Sequence, residues 1–370
     1  MHTFRRTLVL SLILAAGFSA PARAAVPVDW AHPGYDAEDS FYNPHESAIN
    51  LSTIGHLKRR WSVQLRKQAA CAGFSAPLAA AGRVIATDQF GVSAYYASTG
   101  TPAWHFDWPD PVGTETPTMA VDGTTLILAT TGCYSQSDPN GMLVALDLTT
   151  GHVRWRVNSD APAFSLVVDK GMAVVWGESP SDARATVAYR VSDGKVAWRK
   201  AGYQSAGVSA NGRLLLTDKH NTSAVAVKTG ALLWTKPGFW QAKAATPASD
   251  RFLVTSGQSL LAINAASGAV LWTARGASND LLASDGWRVF RAIGNVIEAL
   301  SVPSGNRLWS RTLPKPLAQP VRASDLLYLG GPILNPVTGV AIAPTYPGAE
   351  IVTDGRLVVV NNGTLSSYAP

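Results

Sequence analysis

From about residue 58 to the C-terminus, apolar and polar positions alternate in short runs broken by Gly-, Asn- and Asp-containing turns. That is the period of β-strands, and no stretch sustains the 3.6-residue period of a helix. Two kinds of run interleave. The first is a hairpin with a tight turn at its centre. It recurs as "LAAAGRVIATD", "MAVDGTTLILAT", "LVVDKGMAVVWG", "VSANGRLLLTD", "PASDRFLVTSG", "LASDGWRVFRA", "VRASDLLYLGG" and "IVTDGRLVVVN", eight in all. Asn-Gly and Asp-Gly suit a two-residue hairpin turn, because Gly accepts the positive φ. The second run is a phrase with Gly four residues before Trp. It reads "AYYASTGTPAW" at Trp104, "ALDLTTGHVRW" at Trp155, "AYRVSDGKVAW" at Trp198, "AVAVKTGALLW" at Trp234, "AINAASGAVLW" at Trp272 and "ALSVPSGNRLW" at Trp309. A seventh, "ILNPVTGVAIA", keeps Gly339 but has Ala343 in place of Trp.

Each unit of about 40 residues therefore reads as four strands. Strands A and B form the hairpin, C precedes the Gly turn, and D carries the Trp. The fixed offset keeps the Trp on one face of every D strand. There it fills the gap between its own twisted sheet and the next, hiding roughly 150–250 Å². The last unit stops after strand C at Pro370, while "LKRRWSVQL" near the front is a lone D strand with Trp61. Joining the two removes both open edges. The expected fold is an all-β, eight-bladed β-propeller of four-stranded antiparallel blades, closed by the N-terminal strand D. Trp61, Trp104, Trp155, Trp198, Trp234, Trp272 and Trp309 are its docking residues. Residues 25–57 form a lead segment and 58–370 the propeller.

The Gly–Trp phrases resemble the tryptophan-docking repeats of the quinoprotein-type (PQQ-like) β-propellers. The segment from Asp29 to Trp61 is similar to that family's N-terminal lead at Trp30, Gly34, Tyr42, Asn43, Pro44, Ile49, Asn50, Leu57 and Trp61. The resemblance spans about residues 29–370. It implies the fold but leaves activity open. Dehydrogenases of the family bind PQQ and Ca²⁺ on the rim formed by the D–A and B–C connections. Their marks are two adjacent, disulfide-linked cysteines, a Trp platform, carboxylate and amide metal ligands and a catalytic Asp. A related lipid-anchored envelope protein uses the scaffold for binding instead.

The first residues change the picture of where the protein works. Arg5 and Arg6, the apolar run Thr7 to Ala20, and Ala22-Arg23-Ala24 read as a secretory signal peptide over residues 1–24. A secreted, extracytoplasmic chain of the cell envelope is expected, with no membrane span after cleavage and, lacking a Cys after the apolar run, no lipid anchor. The formal charge of +6, from 31 Lys and Arg against 25 Asp and Glu, falls further once the three leader arginines go, so nucleic acid is not expected as a partner. A monomer is expected. The even cysteine count favours a disulfide between Cys71, in the D–A loop entering blade 1, and Cys133, in the B–C loop of blade 2.

Candidate chemistry is sparse. The seven His are scattered without zinc-ligand spacing, and no P-loop, dinucleotide fingerprint or Gly-x-Ser-x-Gly elbow occurs. On the rim, Trp240 could serve as a quinone platform, and Glu178, Asp218 and Asn221 could offer oxygens to a cation. The cysteines are not adjacent and the rim loops are short. The leading expectation is an exported, non-catalytic propeller that takes a protein or glycan partner at its loop rim, with no cofactor. The alternative is a small PQQ- and Ca²⁺-dependent oxidoreductase acting on an alcohol or sugar.

Overall fold

A computed structural model of the protein describes residues 29–134, 137, 139–276, 281–315, 317–342 and 345–370. The leader read at residues 1–24, the start of the lead and Ala343 lie outside the described residues. The chain forms eight antiparallel blades in a ring, each with strands A to D from the inside outwards. Blade 1 is built from Leu78–Ala80, Arg83–Thr87, Gly91–Tyr96 and Pro102–Asp107. Blade 4, from Gln204–Ala210, Arg213–Thr217, Asn221–Ala226 and Leu232–Pro237, shows how the pattern arises. Its A–B turn is Asn211-Gly212, with φ of 48° and 72°, the positive pair a type I′ turn demands. The B strands are covered on both faces by neighbouring blades. They therefore read as near-continuous apolar runs, as in Thr125–Thr131 of blade 2, buried throughout.

The ring is closed by the two ends of the chain. Lys58–Gln64 is strand D of blade 8 and runs antiparallel to its strand C, Thr364–Ala369, pairing from Lys58 with Ala369 to Gln64 with Thr364. Strands A and B of this blade are Ala349–Thr353 and Arg356–Asn361.

The geometry explains why Gly and Trp recur together. Each indole reaches into the next blade and lies on the Gly of that blade's phrase: Trp61 on Gly100, Trp104 on Gly151, Trp155 on Gly194, Trp198 on Gly230, Trp234 on Gly268, Trp272 on Gly305 and Trp309 on Gly339. The indole N–H donates to a backbone carbonyl beside that Gly, as from Trp104 to Leu148 at 3.0 Å and from Trp198 to Val227 at 2.7 Å. A Cβ on Gly151 would stand 2.7 Å from the Trp104 ring, and its φ is +73°, so this position excludes a side chain twice over. A β-bulge precedes the Trp in these D strands, as between Ala94 and Tyr95 of blade 1 opposite the Trp104 strand. The bulge adds local twist where the indole must leave its own sheet.

The lead runs around the inside of the ring and binds one blade after another. The Trp30 N–H donates to Ala79 of blade 1 at 2.7 Å, and Val121 of blade 2 donates to Ala31 at 2.7 Å. Ser209 of blade 4 donates to Ala37 at 2.8 Å, Ala245 of blade 5 to Glu38 at 2.6 Å, and Ser284 of blade 6 to Ser40 at 2.8 Å. Tyr42–Asn43 then adds a parallel fifth strand to the inner edge of blade 7. Finally, the Asn43 side-chain amide donates to Val352 of blade 8 at 2.9 Å. All these contacts fall near the A–B ends of the inner strands. The strap therefore laces one mouth of the central channel and leaves the D–A and B–C loops at the other.

Blade 7 has the shortest C and D strands among the described residues. Its strands C and D, Ile333–Leu334 and Ala341–Ile342, have two residues each. Among the described residues no helix is long and apolar enough to cross a membrane.

Candidate functional site: the loop rim

The D–A and B–C connections are braced to one another. Arg66, in the loop entering blade 1, bridges Asp88 at 2.9 Å and Asp107 at 2.6 Å. Asp88 is fully buried and also accepts the N–H groups of Phe90 and Gly91, both at 2.9 Å, and the Ser93 hydroxyl at 2.6 Å. A disulfide joins Cys71 to Cys133, with Cα atoms 6.7 Å apart and a separation of 62 positions in sequence. The blade 1–2 loop is caught at this bridge, because Cys71 N–H donates to Val112 and Cys133 N–H to Gly113. Closing a loop of this length constrains the unfolded chain by about 4 kcal/mol in the loop-entropy model.

The four rim residues picked out from the sequence stand apart from one another in role. Glu178 is held by Arg184 through two bonds of 2.5 and 3.1 Å, and this fork lowers its carboxyl below the usual range. Asp218 accepts the backbone N–H of His220 and of Asn221, each at 2.7 Å, which lowers its carboxyl likewise. Asn221 is the partner in that turn and opens strand C of blade 4. Trp240 is buried in the wall, where it borders a cavity of 50 Å³ together with Trp176, Gln204 and Leu215. Among the described residues, no group of three or more His, Cys, Asp or Glu is placed to hold a metal ion.

Sequence reasoning missed the apolar side chains that the rim leaves in solvent. Tyr134 is 71% exposed, Phe164 52% and Phe239 40%. Tyr134 leans over Gly113, beside a cleft of 330 Å³ lined by Asp110, Thr114, Asn140, Asn158 and Asp160 among others. Phe164 stands edge-on to Trp176 at 5.2 Å. Each lies just outside a strand, and that was the available signal: an aromatic that neither the hairpins nor the Gly–Trp phrases account for.

The family described as outer membrane protein assembly factor BamB matches residues 58–163, 92–220 and 218–364, nearly the whole ring. The chain belongs to the BamB family. BamB from Moraxella catarrhalis is similar in structure, with a TM-score of 0.63 and 20% identity over 85% of this chain and 98% of that one. The quinohemoprotein alcohol dehydrogenase of Comamonas testosteroni has a TM-score of 0.69 at 12% identity, covering 92% of this chain and 80% of its own. Saccharomyces cerevisiae Sqt1 has a TM-score of 0.62 at 12% identity, covering 84% and 98%. At such identities the likeness is one of fold. No curated protein matches the sequence.

One carboxyl in this BamB-family ring sits behind the rim. Glu350, in strand A of blade 8, is 5% exposed. Its Oε1 accepts the Gly330 N–H at 2.7 Å, and its Oε2 has no partner among the described residues. Burial pushes its pKa from 4.5 up to about 8. The folded state thus holds a proton that the unfolded chain releases above about pH 4.5. The stability that this proton contributes is present at low pH and is lost as pH rises towards 8. Glu350→Gln should therefore flatten this part of the pH profile. Urea unfolding at pH 5 and pH 8 should show the variant gaining on the parent by on the order of 2 kcal/mol at the higher pH.

Proposed function

We propose that the protein is an extracytoplasmic, monomeric scaffold that binds a protein partner through its D–A/B–C rim and carries no resident redox cofactor. The observation that bears most of this reading is how the rim's polar groups are used. Arg66, Asp88, Glu178, Arg184 and Asp218 are all spent on holding loops, and Cys71–Cys133 ties two of the loops together. Such a rim offers a fixed surface with exposed aromatics, and rigid aromatic side chains are what dominate protein interfaces. Membership of a family described as an assembly factor supports a binding role, and the leader and disulfide support a location outside the cytoplasm.

The oxidoreductase alternative needs a platform and free donors on this rim. The residues present do not fit that group. Trp240 is packed into the wall, the Glu178 carboxylate is forked by Arg184, and Asp218 is saturated by its own turn. The cavity beneath Pro33, of 240 Å³, is lined by Ser75, Ala76, Leu78, Thr116, Pro117, Thr118 and Met119, with no carboxylate among them.

A photo-crosslinking amino acid at Phe164, on the rim, should capture one discrete protein from intact cells. The same group at Trp287, which is 75% exposed at an A–B turn on the opposite face, should not. Capture at Trp287 alone, or uptake of PQQ with Ca²⁺ by the purified chain, would sink this reading.

A further inference from the structure

The indole ladder has a gap. Seven seams between blades are each filled by a Trp lying on a Gly. The eighth, between blades 7 and 8, has neither. Its phrase carries Ala343 where the Trp recurs, and blade 8 has no covalent C–D turn to supply a Gly, because its strand C ends the chain.

The consequence is visible one strand position at a time. On strand C, the residue just after the one paired with the Trp faces the preceding blade. At six seams it is buried: Tyr95, Leu146, Tyr189, Val225, Ile263 and Leu300. Its counterpart in blade 8 is Tyr368, and it is only partly covered. No indole among the described residues of blade 7 covers it. A cleft of 490 Å³ lies along this seam, lined by Tyr346, Pro347, Val359, Asn361, Ser366 and Tyr368 together with Thr345, Asn362 and Thr364. Among the described residues no charged side chain lines it.

The cleft is partly furnished already. Tyr346 meets Tyr368 edge-on at 5.0 Å, and its hydroxyl donates to the Ile54 carbonyl at 3.4 Å. It thus makes the same kind of bond that each indole makes at the other seams. Thr364 accepts from Gln64 at 2.7 Å, and Ser366 meets Ser62 at 3.1 Å, so these two are satisfied. The side-chain amides of Asn361 and Asn362, at the B–C turn on the rim, are exposed and make no hydrogen bond to any described residue. Each carries both donors and an acceptor, the set that a peptide backbone requires.

We propose that the blade 7–8 seam is a docking groove for a partner polypeptide, which lays an aromatic side chain in the cleft against the Tyr346–Tyr368 pair while Asn361 and Asn362 hold its backbone. This rests on the reading of the protein as a partner-binding scaffold, and it names where one contact is made. The occupant follows from the ring itself, which fills each of its seven other seams with an aromatic whose polar edge finds a carbonyl. The neutral lining calls for an uncharged segment around that aromatic, since a charge buried there would find no partner.

The probe is a blocked Gly–(5-fluorotryptophan)–Gly peptide titrated into the full chain and followed by fluorine NMR, with the matching Ala peptide as a blank. The expected result is saturable binding of the aromatic peptide, with intermolecular contacts to the Tyr346 and Tyr368 rings. Ser366→Trp, which fills the groove, should weaken binding at least about tenfold, and the exposed Asn361→Ala about threefold or more. Each variant is to be matched to the parent in thermal transition. The proposal is overturned if the parent does not bind at millimolar peptide, if both variants bind as the parent does, or if a neutral trisaccharide such as maltotriose occupies the cleft instead. The two readings fail separately. Partner capture at Phe164 that survives while the peptide fails to bind removes the groove alone. Peptide binding without any capture removes the rim reading alone.

Discussion

A chain cut after Gly363 is expected to lose its cooperative fold. The deletion removes strand C of blade 8, which carries the fully buried Leu365 and Ser367. It also does more than shorten an end. Thr364–Ala369 is the ladder partner of Lys58–Gln64, so the closing strand would have nothing to pair with. Strand B, Arg356–Asn361, would be exposed along its edge, and Trp61 would have no sheet from which to reach Gly100. Edges opened in this way are templates for intermolecular pairing. The summed loss of a buried strand, a ladder on each side and a seated indole exceeds about 5 kcal/mol, comparable to the whole stability of an ordinary domain. Urea unfolding followed by tryptophan fluorescence, with size-exclusion chromatography, checks it. The truncated chain should be unfolded or associated in buffer. A monomer unfolding within about 1 kcal/mol of the full chain would show that the ring does not depend on this clasp.

The ring was legible before the structure because its information is periodic. Eight hairpins and a Gly–Trp offset repeated without change leave little freedom in strand order. The surplus Trp61 strand and the missing final strand point to each other. The disulfide was legible for a related reason, since Cys71 and Cys133 fall on adjacent loops of one rim. The path of the lead was not legible. Its contacts are backbone bonds to six different blades and a side-chain bond from Asn43 to a further one, made one or two at a time. They are reached through positive φ at Tyr35, Asp39 and Phe41, which no period announces.

The rim chemistry was obscured differently. Glu178 and Arg184 flank one loop, and Asp218 precedes Asn221 by three, so an ion pair and a side-chain-capped turn were both readable locally. A carboxylate spent on such a local bond has the same residue type and loop position as a metal donor, so its use is not marked in the sequence. Trp240 looked like a platform because a loop aromatic can face solvent or the wall, and sequence does not say which. Phe164 and Trp240 are both loop aromatics, and burial alone separates them. The open seam had its signal in plain view. Ala343 breaks an otherwise unbroken series, and the break reads as looser packing until the other seven seams show what should fill it.

The seating of the indoles separates two explanations of the spacing that recurs along the chain. Trp272→Ala should destabilise the ring by about 3–5 kcal/mol through lost burial and the cavity left behind. The freed Val302 carbonyl is not orphaned, because Arg251 also donates to it at 3.0 Å. Gly305→Ala faces two costs. Its φ of +70° costs a side-chain-bearing residue about 1 kcal/mol. The new methyl would also stand 2.7 Å from the Trp272 ring, which cannot step aside while it is hydrogen-bonded and packed. A total near 3 kcal/mol follows, overpacking supplying the remainder. In the Trp272→Ala background the second cost vanishes, and Gly305→Ala should fall to about 1 kcal/mol, a coupling of about 2 kcal/mol. Gly257 provides the control, since its φ is +56° and nothing lies within 4 Å of its would-be Cβ. Gly257→Ala should cost about 1 kcal/mol in both backgrounds. Urea unfolding of the six proteins measures every corner. A cycle that closes to zero at Gly305 would mean that the glycine serves the turn alone and that the indole merely lies nearby. A coupling of the expected size makes Gly and Trp one joint, split between adjacent blades, and explains why each phrase must carry both halves.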